Sequence, residues 1–437
     1  MIAIKNGKIV TPERIVEGKT LLLSRDRIAG FADNAGFADN ADIADIADIA
    51  GIADCVEGAD IADIADIAGI TDIAGIADSV EGADYVENVV DACGRFVLPG
   101  LIDVHSDKIE QYIQPRPTSE MDFEFALKIC ERDLLGACIT TIYHSISLFQ
   151  DEFFGKSPIR TKDNVRKIAD LIADIHLRNH LIRHRFHLRV EIDNLNAFDI
   201  ARYMIEQRKA QMLSFMDHTP GQGQYRDIAM YRDAVSRYNG IEVETLGFDG
   251  VFEHHKNKST LSFGQIKELA ELAHANDVPV ASHDDDTAKK LLFNKEIGVD
   301  ISEFPITLEI AKSARELGFY TVVGSSNILR GSSHAGNMSA AEAVIEGCAD
   351  ILCSDYYPAT VLYSIFHMNQ EFGVSLPRMV NMATLNPAKA TKTDKDYGSI
   401  EVGKKADLLI VDLLDDYPVI THVFVDGVAT SRVEYRR

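Results

Sequence analysis

The 437-residue chain contains no tryptophan, only six cysteines, and no Lys or Arg at all between Arg27 and Arg95. No run of 18 apolar residues occurs, which excludes a membrane-spanning helix on hydropathy. The cysteines (Cys55, Cys93, Cys130, Cys138, Cys348, Cys353) form no CxxC pair. A chain of this length needs no disulfides, so buried apolar thiols in a reduced, cytoplasmic setting are expected. The opening stretch MIAIKNGKIVTPERIVEG lacks the apolar segment of a signal peptide. The missing basic charge is local: from Asp33 to Glu87 there are 12 Asp and 3 Glu, so this window carries −15 of the formal −24 and the rest only −9. That balance argues against nucleic acid or an anionic membrane as partner, since both require a cationic face.

What remains has an ordinary enzyme-like composition, 46% hydrophobic and 26% charged, enough for one large core and a small companion. The first 28 residues read as short strands, and the last 40 resume that style with ADLLIVDLL and VITHVFVDGVA. This predicts a small β-sandwich domain from both termini, residues 1–29 and 385–437. Between them lie eight apolar runs: RFVLPGLIDVH, CITTIYHS, RFHLRVEID, MLSFMDH, VPVASHD, ISEFP, YTVVGSS and ILCSDYY. Amphipathic stretches such as 163–182, 264–276, 307–317 and 338–347 separate them. Repeated strand–helix units with near-continuous apolar strands predict an α/β fold, a (β/α)8 TIM barrel over 95–384. The runs end on His105, His144, Glu191, His218, His283, Glu303, Ser325 and Asp355. Barrel enzymes build their sites at those strand ends, so the pattern points to catalysis.

Residues 30–88 form an acidic insert, a tandem repeat of ADI triplets with CVEGAD at 55–60 and SVEGAD at 79–84. A three-residue period drifts around a helix and leaves no fixed apolar stripe. A loosely structured acidic loop is the expectation, with a small β-solenoid as the alternative.

His105-Ser106-Asp107 follows the first barrel strand, and Glu191, His218, His283 and Asp355 each follow another. Together they supply nitrogen and oxygen donors for one or two divalent ions; imidazole favours Zn²⁺, with Mn²⁺ or Fe²⁺ admissible. Glu191 is the candidate bridge between two ions. Asp355 is the candidate general base towards a metal-acidified water. Asp284 to Asp286 read as groups that orient His283. His144 reads as a packed histidine, and His176, His180, His184 and His187 as a solvated helix end.

Several of these segments carry a family resemblance. LPGLIDVHSD and NPAKATK…GSIEVGKKADLLIVD resemble the amidohydrolase superfamily. HSDKIEQYIQPRP, HLRVE, SFMDHTPGQGQYRD, ASHDDDT, SEFPITLEIAK, NILRGSSHAGN and ILCSDYYPA are similar, in the same order, to its α-D-ribose 1-methylphosphonate 5-triphosphate diphosphatase family in the carbon–phosphorus lyase pathway. The superfamily usually has HxH where this chain has Asp107, and often a carboxylated Lys where this chain offers Glu191. The diphosphatase branch shares both departures. The resemblance implies a metal-dependent hydrolase with His105, Asp107, Glu191, His218, His283 and Asp355 at the metal. It also implies a small phosphorylated substrate. Arg330, Ser332, Ser333, His334 and Asn337, with Arg116 between two prolines, are the candidate phosphate contacts. Lys256 and Lys258 read instead as solvated. A homo-oligomer is compatible with this plan.

Two rival readings stay open on the residues alone. One keeps the metal barrel but cleaves a C–N bond, as an amidohydrolase or deaminase of a cyclic amide would. The other is a non-catalytic scaffold whose acidic repeat binds a partner, a reading that the six strand-end ligands disfavour.

Overall fold

The computed structural model describes residues 1–34, 86, 88–148, 158–223, 228–229, 231–232, 240–331 and 337–436. Nearly all of the acidic repeat lies outside the described residues, and so do Ser332, Ser333 and His334. The chain divides into two compact units. One comprises Met1–Leu101, Ser375–Leu385 and Thr393–Arg437; the other comprises Ile102–Val374 and Asn386–Lys392.

The smaller unit begins with β1 (Ile2–Lys5), β2 (Lys8–Val10), β3 (Ile15–Val16), β4 (Lys19–Ser24), β5 (Arg27–Asp33), β6 (Asn88–Asp91) and β7 (Phe96–Pro99). The strand β5 runs on through Asp33, which pairs with Lys19, so the repeat leaves the sheet later than residue 30. One sheet has the order β5-β4-β1-β6. The other joins β3, β2 and β7 to the C-terminal strands, Leu408–Leu414, Tyr417–Val425 and Val428–Arg432. Ile4, Leu21 and Leu23 of the first sheet share a core with Ile9, Val97, Leu408, Ile410 and Phe424 of the second, which makes the unit a β-sandwich. The last hairpin turns on Asp426-Gly427, both at positive φ. A Cβ on Gly427 would lie 2.0 Å from the Arg25 carbonyl oxygen, so only glycine fits.

The larger unit is the barrel. Its strands are β8 (Leu101–Ser106), β9 (Ile139–Leu148), β10 (Arg183–Glu191), β11 (Met212–Met216), β12 (Val280–His283), β13 (Ile301–Glu303), β14 (Tyr320–Gly324) and β15 (Ile351–Cys353). They pair in sequence order, and from β9 to β15 each adjacent pair is parallel. The first predicted run is split by Gly100: β7 joins the sandwich and β8 opens the barrel. The ring is sealed between first and last strands by a parallel bridge, Ser106 to Asp355. There Asp355 N donates to the His105 carbonyl at 2.9 Å, and Asp107 N donates to the Asp355 carbonyl at 3.1 Å.

Strand alternation sorts β10 into two faces. His187, Arg189 and Glu191 face one way, towards the site described below. His184, Phe186, Leu188 and Val190 face the other, against helices that include Phe123–Gly136 and Lys162–Ile175. In that strand–helix layer, His144 Nε2 lies 2.9 Å from His184 Nδ1, and His184 Nε2 lies 3.2 Å from Glu131 Oε2. The histidine spacing that reads as a solvated helix end is therefore a helix end only at His176; His184 and His187 are buried strand residues.

Burial lowers the pKa of His144 and of His184, the latter partly offset by Glu131. Both groups therefore take up a proton less readily when folded than in the unfolded chain, where they do so below about pH 6.5. Their contribution to stability is thus complete above that pH and is lost as the pH falls below it. Glu131, despite burial, is held below the usual Glu range by His184 and by the Leu181 amide, so its contribution is also lost in acid, at lower pH. The thermal midpoint is expected to fall by several degrees from about pH 7 to about pH 5. His144→Phe, which keeps a buried ring but not its titration, should flatten that fall; an unchanged pH profile would show that the layer does not govern it.

Candidate active site

All six candidate ligands lie at the C-terminal ends of barrel strands. His105 is in β8, and Asp107 follows it as the N-cap of helix Lys108–Ile113. Glu191 ends β10, and His283 ends β12. His218 and Asp355 lie two residues beyond β11 and β15.

The backbone turns sharply at three of these ends. Asp284, Phe304 and Asp355 all have positive φ, at 53°, 53° and 63°. For a residue as bulky as Phe304 this is a strained conformation. Main-chain bonds hold it: Asp284 N donates to the Glu303 carbonyl, Phe304 N to the Val322 carbonyl, and Asp355 N to the His105 carbonyl. The Phe304 ring meets His105 and His283 at centroid distances of 5.0 and 5.1 Å, and those two imidazoles are 5.5 Å apart.

Around this centre the polar groups pair closely. His218 Nδ1 lies 2.8 Å from Glu191 Oε2, and His283 Nδ1 lies 2.8 Å from Asp284 Oδ2. Although burial opposes both effects, Glu191 raises the His218 pKa, and His218 lowers that of Glu191. Asp355 is pushed up to about 7, first by burial and then by the negative charge of Asp107, with Asp284 and Asp103 adding to it. Burial likewise pushes Asp103 to about 6. A crowd of buried carboxylates is costly unless cations offset it.

The orphaned atoms point the same way. Asp107 Oδ1 and Glu191 Oε1 are buried with no hydrogen-bond partner among the described residues. Buried carboxylate oxygens seldom go unsatisfied. Two such oxygens among imidazoles fit a divalent cation, and the candidate ligands present suit it in number and type.

The substrate-side candidates behave differently. Arg116 is exposed, on a turn closed by a bridge to Ser119. Arg330 is also exposed. It ends helix Ser325–Arg330, which Gly331 terminates at φ 73°, so it does not stand at a helix N-terminus. The next helix, Ala340–Ile345, is capped by Ser339, and Asn337 lies half-buried just before it. No hydrogen bond among the described residues ties Arg116 or Arg330 to the six ligands. Lys258, read from sequence as solvated, instead holds Asp193 Oδ2 at 2.9 Å, and burial lowers its pKa to about 8.

Five residues that the sequence reading did not select belong to this neighbourhood. The charge of Arg189 acts on His105, Glu191, His218 and Asp355, and that of Arg160 on Glu191. Arg160 Nε donates to both Glu110 oxygens at 3.1 Å, beside a cavity of about 180 Å³ lined by Asp107, Glu110, Gln111, Gln114 and Ile159. His187, Ser214 and Glu303 lie buried beside His105; His105, His187 and Glu303 are close enough together to hold an ion. A signal for two of them was present: counting back by twos from Glu191 in HLRVE gives Arg189 and His187.

An eight-stranded parallel barrel with imidazoles and carboxylates at its strand ends, in a chain that also builds a β-sandwich from both termini, is the architecture of metal-dependent amidohydrolases. Residues 239–430 match the Amidohydrolase family. Over 342 residues the chain is 30% identical to the alpha-D-ribose 1-methylphosphonate 5-triphosphate diphosphatase of Escherichia coli (strain K12), covering 77% of this chain and 89% of that protein. The chain therefore belongs to the amidohydrolase family and, within it, to the branch of that diphosphatase. In fold it is similar to the L-hydantoinase of Arthrobacter aurescens, with a TM-score of 0.58 and 17% identity over 98% of this chain and 95% of that one. It is likewise similar to the N-acetylglucosamine-6-phosphate deacetylase of Pasteurella multocida, with a TM-score of 0.56 and 12% identity over 98% of each chain. Family and site make it a hydrolase with a possible place for a metal. Among the described residues no helix is long and apolar enough to cross a membrane.

Proposed function

We propose that the chain hydrolyses α-D-ribose 1-methylphosphonate 5-triphosphate to the 5-phosphate and diphosphate. The observation that carries this reading is the extended similarity to the E. coli diphosphatase, which covers most of both chains. The ring of strand-end donors supports it.

In this reading His105, Asp107, Glu191, His218, His283 and Asp355 hold one or two divalent ions, with Zn²⁺ favoured by the three imidazoles. A metal held there would supply an acidified water and offset charge on the phosphoryl oxygens. Asp355, at the sealed seam, takes the proton from the attacking water at a carboxylate oxygen and passes it towards the leaving diphosphate. Glu191 keeps one oxygen on His218 Nδ1 and has the other, Oε1, free for the metal. Arg116 and Arg330, both exposed, would meet the polyphosphate, and Ser332, Ser333, His334 and Asn337 would add donors to it. Guanidinium pairs with phosphate oxygens are strong and often bidentate, and among the described residues neither guanidinium is hydrogen-bonded to a candidate ligand. The reading gives the repeat of residues 30–88 no chemistry, because it lacks His, Lys and Arg.

The test is incubation with the triphosphate and Zn²⁺, Mn²⁺ or Mg²⁺, followed by quantification of diphosphate. Stoichiometric diphosphate is expected. Release of monophosphate alone would overturn this reading, and turnover of a cyclic amide without turnover of the triphosphate would replace it with the C–N hydrolase alternative.

A further inference from the structure

His105 is not left to orient itself. Its Nδ1 lies 2.8 Å from Glu303 Oε1, and the two side chains are 2% and 0% exposed. A carboxylate can only accept, so Nδ1 carries the proton and Nε2 is left with the lone pair. The second Glu303 oxygen accepts from Ser214 Oγ at 2.7 Å. Ser214 Oγ in turn lies 2.5 Å from His187 Nε2, and His187 Nδ1 lies 2.8 Å from Ser145 Oγ.

These contacts form a chain with one direction. Ser145 donates to His187 Nδ1, His187 Nε2 donates to Ser214, and Ser214 donates to Glu303. The other tautomer would place the His187 proton on Nδ1, towards the Val104 carbonyl at 3.1 Å. Nε2 would then need the Ser214 proton, and a buried carboxylate oxygen would lose its donor. A bond to a charged carboxylate outweighs one to a neutral carbonyl, so the first arrangement is favoured. Residues of β8, β9, β10, β11 and β13 meet in this chain, all inside the barrel.

We propose that Glu303, seated by Ser214 and His187, is a positioning residue that fixes the tautomer and ring orientation of His105, so that Nε2 alone is presented to the metal. The inference rests on the metal-hydrolase reading above and adds residues to it. Glu303 acts through His105 and is not itself a ligand, because His105 and Ser214 already occupy both of its oxygens.

The test measures metal affinity and so does not depend on substrate. Purified full-length protein is titrated with Zn²⁺ against a chromophoric chelator, and the bound ions are counted by elemental analysis. A Co²⁺-loaded sample reports the ligand field. Glu303→Ala is expected to weaken affinity about 10–100-fold, with a shifted Co²⁺ spectrum, an unchanged number of ions and unchanged circular dichroism. Glu303→Gln, whose amide oxygen can still accept from Nδ1, should recover much of that loss. Ser214→Ala should weaken affinity in the same direction but less. If Glu303→Ala does not fold, Glu303→Gln and Ser214→Ala decide by the same titration. Affinities within about twofold of the wild type in every folded variant would overturn the inference, being far below the effect of losing such a partner. Loss of one whole ion would overturn it too, by making Glu303 a ligand. A wild-type protein that binds no divalent ion would reject the metal-hydrolase reading itself, before any variant is compared.

Discussion

Replacing Asp355 by Asn is expected to lower diphosphate release by about 10²–10⁴-fold, the usual yield of a positioned general base. The amide preserves volume and can still accept a hydrogen bond, but it takes no proton. Main-chain bonds rather than its side chain hold Asp355 in the seam, through its amide to His105 and its carbonyl to Asp107, so the fold should survive. Single-turnover rates with saturating metal check the prediction, with ion content measured in parallel. A loss confined to metal binding, with the rate restored at high metal, would make Asp355 a ligand only. A rate within about tenfold of the wild type would place the base elsewhere.

Phe186→Ala should produce the largest loss of stability, about 3–5 kcal/mol by the usual cost of emptying a buried aromatic site. Phe186 is 0% exposed and lies on the helix-facing side of β10, while His187 and Glu191 lie on the opposite side. Helix Lys162–Ile175, with Val165, Ile168, Ala169 and Ile172 buried, lies against this strand. The cavity would open in the strand–helix layer and leave the site's hydrogen bonds in place. Denaturant unfolding should show the lower midpoint, while kcat per folded molecule stays near that of the wild type. A midpoint drop worth less than about 1 kcal/mol would mean that neighbouring side chains collapse into the space.

The strand count was legible because a parallel strand covered on both faces is written as a nearly unbroken apolar run. Such runs survive in β11, β12 and β15 with hardly a polar interruption. The strand β10 was harder to read. RHRFHLRVE is two-thirds polar, and the spacing of His176, His180, His184 and His187 imitates a helical face. In the folded chain those histidines belong to a helix end, a strand–helix layer and the barrel interior, because a strand sends neighbouring side chains to opposite sides. Five of the six candidate ligands could be chosen because each ends its own run, and Asp107 because it lies two residues beyond His105. Their partners could not. Glu303 also ends a run, but nothing local shows that it would meet His105, which lies 198 residues away in the chain. The phosphate-side candidates suffered from the opposite fault. Arg330 precedes a glycine that suggests an anion-binding loop, yet that glycine closes the helix Arg330 ends.

The seam between β8 and β15 also sets an order of events during synthesis. Ser354 N donates to Asp103 Oδ1 across 251 residues of chain, and the bridge from Ser106 to Asp355 spans a similar stretch. The first barrel strand must therefore wait for the last. Until then a growing chain carries His105, Asp107, Glu191, His218 and His283 without the strand that closes the ring around them. Closure over so long a loop is entropically slow, and Asp103, buried in the closed barrel, bonds across it. A ribosome-bound chain that stops short of β15 thus holds most of the donors but cannot assemble them, and hydrolytic competence arrives only when the barrel is complete.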